Sequence, residues 1–118
     1  MSLEDDIFAL EEKFWPGDAA FYSAHLDAQC AIAFTEMAGV MPKEQIAGMM
    51  KEPQRWNDLK IERKGFYQPT KDVAIIVYAV AAIRANGTPH LAHVASVYVD
   101  RDGEWKMAGH QQTPLPAR

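Results

Sequence analysis

Leu3, Ile7, Leu10 and Phe14 recur at the three-and-four spacing that places side chains on one helical face. Ser2 precedes this stripe as an N-cap, and Glu4, Asp5 and Asp6 put negative charge in the first turn, where the helix dipole favours it. Trp15-Pro16-Gly17 ends the segment, because the residue before a proline is pushed away from helical geometry. Asp18 predicts the cap of a second, shorter helix whose inward side is Phe21, Tyr22, His25 and Leu26. Cys30 to Phe34 is a short apolar run without helical period and reads as a strand. Gly39 marks a turn, and Pro42 suits the first position of a third helix with Ile46, Met49 and Met50 inward, closed by Pro53.

From Trp56 the pattern changes. Trp56 to Gln68 alternates for much of its length, as a half-exposed strand does, and Pro69-Thr70-Lys71-Asp72 follows as a turn. Val73 to Ile83 is almost wholly apolar, which fits a central strand covered on both faces. Asn86-Gly87 begins a hairpin, Leu91 to Val99 is the next strand, and Glu104 to Gln112 is the last. Helices gathered on one side of an antiparallel sheet define an α+β layer architecture. A strongly twisted sheet curling around a long helix would leave a hollow suited to a small ligand.

The length of 118 residues suits one domain, residues 1–118. With 48% apolar residues the chain is not compositionally disordered, and a net charge of -4 argues against a nucleic-acid partner. Cys30, the single cysteine, excludes an internal disulfide and a multi-cysteine zinc site, and reads as a small buried hydrophobe. No apolar run approaches the roughly 20 residues that span a bilayer, and the acidic N-terminus is unlike a targeting segment, so a cytoplasmic location without membrane contact is expected. His90 and His93, three apart on a strand, face opposite sides, and no carboxylate–histidine cluster shares a face. Neither a metal nor a cofactor is expected.

The stretch from Ala95 to Pro114 places an aromatic strand end before a charged turn, then Gly103-Glu104-Trp105, an apolar pair and His110-Gln111-Gln112-Thr113. This resembles the closing hairpin of nuclear-transport-factor-2-like domains, in particular the SnoaL-like domains of unknown function that are themselves similar to the association domain of calmodulin-dependent kinase. Trp15-Pro16-Gly17-Asp18 in the helical N-terminus fits the same pattern. The resemblance implies a cone-shaped barrel, with a curved antiparallel sheet wrapped around the N-terminal helices, a pocket between sheet and helices, and a homodimer. The two apolar faces of Val73 to Ile83 suit helices on one side and a dimer partner on the other, so the homodimer is expected through the sheet face.

Hairpin register decides which side chains enter that pocket, since a one-residue slip reverses every one of them. A four-residue loop from Asp100 to Gly103 would set His93 opposite His110. A three-residue loop, with Asp100 paired to Glu104 and Gly103 forming a bulge, sets His110 opposite Val94 and Gln112 opposite Ala92, with Ser96 on the same face and Trp105 turned away from it. The second register is preferred, and it agrees with the resemblance, in which the counterparts of Ser96 and Gln112 face the pocket. The resemblance also puts Tyr78 and Val80 on that side. In kinase-association relatives the positions of Val80, Ser96 and Gln112 carry carboxylate-binding arginines, whereas here all three are neutral.

The expected site therefore has Tyr22, Trp56 and Tyr78 as walls with Val80, and Ser96, His110 and Gln112 as polar anchors for an apolar or weakly polar small molecule. Two residues are candidate proton-transfer groups. Glu36 falls where ketosteroid-isomerase-like members place a base, and a carboxylate at the mouth of an apolar pocket gains basicity; read plainly, it is an exposed turn glutamate. His110 titrates near neutrality when unperturbed, although a strand histidine is also a common structural group. Three readings follow: a small-molecule binder, an isomerase, cyclase or hydratase using Glu36 or His110, and a structural assembly module.

Overall fold

Side-chain caps set both N-terminal helices. In the computed structural model, which describes residues 2–50 and 56–116, the Ser2 hydroxyl accepts the Asp5 amide at 3.1 Å and opens α1, Leu3–Phe14. The Asp18 carboxylate accepts the Phe21 amide at 2.9 Å and opens α2, Ala19–His25. The chain continues through β1 (Leu26–Ala33), β2 (Ala38–Pro42), α3 (Lys43–Ala47), β3 (Trp56–Thr70), β4 (Val73–Arg84), β5 (Pro89–Arg101) and β6 (Glu104–Pro114). Pro42 caps α3 from just outside it, and the helix stops before Met49 and Met50. Pro53 lies outside the described residues.

Leu26 begins β1 instead of ending α2, and Gly39, expected in a turn, lies inside β2. The strand β2 escapes the apolar pattern because its residues are mostly exposed and it pairs with β1 alone.

The six strands run in the order β2-β1-β6-β5-β4-β3, with β1 parallel to β6 and every other pair antiparallel. The sheet is therefore mixed, and β2 and β3 are its two free edges. The expected barrel is not formed: the sheet is open and is not strongly curled around the helices. Nothing in the strand patterns pairs β2 with β3, and the concavity comes from the helices laid over one face.

That face carries the core. Ala74, Ile76, Tyr78, Val80 and Ala82 of β4 alternate inward with Ala92, Val94, Ser96 and Tyr98 of β5, all buried. Ile7, Phe8, Glu11 and Phe14 of α1 pack onto them. The opposite face of β4 is only partly covered, and Val77 there is 40% exposed.

The closing hairpin departs from both anticipated registers. Arg101 pairs with Glu104 around a two-residue turn, in which Asp102 and Gly103 both take positive φ, 55° and 90°, as a type I′ turn requires. The pairing then shifts between Val97–Gly109 and Tyr98–Met107, leaving Ala108 as an extra residue in β6. This bulge reverses the side-chain alternation. Before it, Trp105 and Met107 lie on the helix side, so Trp105 is on the face of Ser96 and not away from it; after it, His110 and Gln112 do, opposite Ser96 and Val94.

Candidate ligand-binding cavity

A cavity of about 180 Å³ lies between the helices and the inner ends of β1 and β6. Phe14 closes it from the end of α1 and Trp15 from the residue that caps that helix, Cys30 and Ile32 from β1, and Ile46 from α3, so the wall is mainly apolar. Trp15 stacks edge-on against Trp56, with centroids 5.1 Å apart, at the start of β3. Three polar side chains reach the wall from α1 and β6: Glu11, His110 and Gln112.

Glu11 is fully buried and accepts hydroxyls from three directions. Tyr98 donates to Oε1 at 2.5 Å, Ser96 donates to Oε2 at 2.8 Å, and Tyr78 donates to Oε2. The Trp15 indole N–H in turn donates to the Tyr78 oxygen at 3.0 Å. Burial first, and the adjacent Glu11 charge second, push both tyrosine hydroxyls upward, so they remain donors. An unpaired buried carboxylate would be very costly; here every buried polar side-chain atom among the described residues has a partner.

The contacts continue outward in one direction. Ser96 has spent its proton on Glu11, so it accepts from Nδ1–H of His110 at 2.8 Å. Nε2 of His110 must then be the acceptor for the Gln112 amide N–H, 2.9 Å away. The Gln112 carbonyl accepts from Nε2–H of His90 at 2.8 Å, and Nδ1 of His90 accepts from the Arg84 guanidinium at 3.0 Å. Every donor points toward Glu11, and each imidazole is neutral with its tautomer set by its neighbours. Burial holds His110 below the ordinary histidine value; the Glu11 carboxylate, 3.5 Å from Nδ1, pulls the other way without prevailing.

Comparison with solved structures places this architecture. An NTF2-like protein of unknown function from Prochlorococcus marinus matches with a TM-score of 0.74 and 18% identity over 100% of this chain and 97% of that one. A ketosteroid isomerase-like protein from Erwinia carotovora atroseptica matches at 0.76 and 18% identity, over 98% and 95%. The association domain of CaMKII from C. elegans matches at 0.71 and 15% identity, over 93% and 94%. The fold is that of nuclear-transport-factor-2-like domains. No protein-family model matches the sequence, and no curated protein matches it.

Within this NTF2-like frame the anticipated residues divide into two groups. Tyr22, Trp56, His110 and Gln112 stand on the cavity wall. Tyr78, Val80 and Ser96 are on the inner face as expected but are fully or almost fully buried behind the wall, Tyr78 and Ser96 as partners of Glu11. Glu36 sits in the exposed turn between β1 and β2, away from the network. It is not among the described residues that line the cavity. Among the described residues no group of three His, Cys, Asp or Glu side chains could hold a metal ion, and no helix is long and apolar enough to cross a membrane.

Glu11, Tyr98 and Arg84 were not singled out from sequence, and His90 was weighed only as a metal pair with His93. Glu11 had a signal: it stands four residues after Ile7 and three before Phe14, on the buried stripe itself. A glutamate there must be paired within the core.

Proposed function

We propose that the protein binds a small, mainly apolar molecule about one ring in size, held by the apolar wall and oriented by His110 and Gln112. The volume carries this reading. An apolar cavity of about 150 Å³ accommodates benzene, whereas pockets for drug-sized ligands span roughly 300–1,000 Å³. At about 180 Å³ the cavity suits one ring with a substituent, and a four-ring steroid exceeds it. Thermal unfolding in the presence of benzene, indole and a four-ring steroid tests this. The single- and double-ring compounds are expected to raise Tm, by the equivalent of about 2.7 kcal/mol at a hundredfold excess over Kd, and the steroid to leave it unchanged. Absence of any shift with the small rings contradicts the reading.

Proton transfer of the isomerase or cyclase kind is the second reading, supported by the Glu11 carboxylate 3.5 Å from Nδ1 of a cavity-wall histidine. In this reading His110, not Glu36, is the base. Dimerisation through the outer sheet face is supported by the exposed Val77 amid the partly buried Ile75, Val97 and Val99. Sedimentation at twice the chain mass at micromolar concentration would agree with it, and sedimentation at the single-chain mass would contradict it.

A further inference from the structure

The one-way chain from Arg84 to Glu11 restricts what the cavity can accept. Its five links are Arg84–His90, His90–Gln112, Gln112–His110, His110–Ser96 and Ser96–Glu11. Among the described residues, only Gln112–His110 has both ends on the cavity wall. Glu11 also reaches the wall, but both its oxygens already accept hydroxyls, so a bound molecule that enters the chain from the cavity does so at that link.

The two ends of the link make opposite demands. Gln112 presents an N–H that must be accepted, and Nε2 of His110 presents a lone pair that must receive a proton donor. A carbonyl oxygen only accepts, so inserting it leaves Nε2 unsatisfied, and stranding a half-buried acceptor costs more than an ordinary hydrogen bond gains. A hydroxyl accepts and donates at once. Inserted there it keeps every donor pointing toward Glu11 and disturbs neither imidazole.

We infer that the ligand is a small cyclic alcohol or phenol whose hydroxyl enters between the Gln112 amide and Nε2 of His110. This rests on the cavity being the binding site, and adds the chemical class of what fills it. The ring occupies the space bounded by Phe14, Ile32, Ile46 and Trp56, and the hydroxyl is the only polar group the wall needs to meet.

Calorimetric titration of the native protein with cyclohexanol, cyclohexanone and benzene at neutral pH tests the inference, because the first two differ little in size and both shed water on binding. Cyclohexanol is expected to bind about tenfold more tightly than cyclohexanone, the worth of about 1.4 kcal/mol. Equal affinities, or a preference for the ketone, overturn the inference; if benzene still binds, the cavity reading survives that failure. If none of the three binds, both fall.

Discussion

Glu11 is the residue on which the interior depends. It takes three hydroxyls and faces His110, so its removal strands donors from β4 and β5 at once. Glu11→Ala is expected to cost about 3–5 kcal/mol, the range for breaking a buried charged pair, and Glu11→Gln less, since the amide oxygen still accepts one of the hydroxyls. Denaturant unfolding of the two variants measures both; a Glu11→Ala protein within about 0.5 kcal/mol of the parent, the scale of a neutral surface change, would contradict the assigned role. His110 gives the pH dependence. Its folded pKa lies below its unfolded value near 6.5, so between the two the unfolded chain binds more protons. Stability therefore falls as pH drops below about 6.5, with His25 adding in the same direction for the same cause, burial. Unfolding midpoints measured between neutrality and mild acid should decline in that window, and a flat profile would count against a neutral buried imidazole. Cys30, its thiol pushed up to about 12 by burial, contributes nothing there.

At the scale of elements, β4, β5 and the two capped helices were legible because their signals are local: caps, an apolar run and turn residues. The β5–β6 hairpin was legible only in parity. A two-residue Asp102-Gly103 turn by itself would have turned His110 and Gln112 outward, and the extra residue at Ala108 turns them back. The anticipated three-residue loop reached the same face through a single irregularity in the wrong place. No residue type marks Ala108 as a bulge, since alanine is at home in regular strands as well. Deleting Ala108 should restore unbroken pairing and swing His110 and Gln112 to the outer face. The expected result is a loss of about 1–3 kcal/mol from leaving Ser96 and Glu11 without the imidazole, together with loss of the ligand-induced Tm shift. A deletion variant that keeps both would show that the bulge does not aim the site.

For the whole molecule, the order of helices and strands was legible apart from β2, but closure was not. Whether a sheet closes depends on the pairing of its edge strands, and β2, short and exposed, gives no hydrophobic pattern from which that pairing could be read. The cavity instead arises where α1 and α3 bridge β1 and β6, and its polar side is the chain that joins a guanidinium at the rim to a carboxylate in the core. The direction of that chain is the central claim, and one spectrum reads it. In a ¹⁵N-edited NMR spectrum of the native protein at neutral pH, the His110 ring should show a protonated Nδ1 and an unprotonated Nε2. A proton on Nε2, or on both nitrogens, would contradict it.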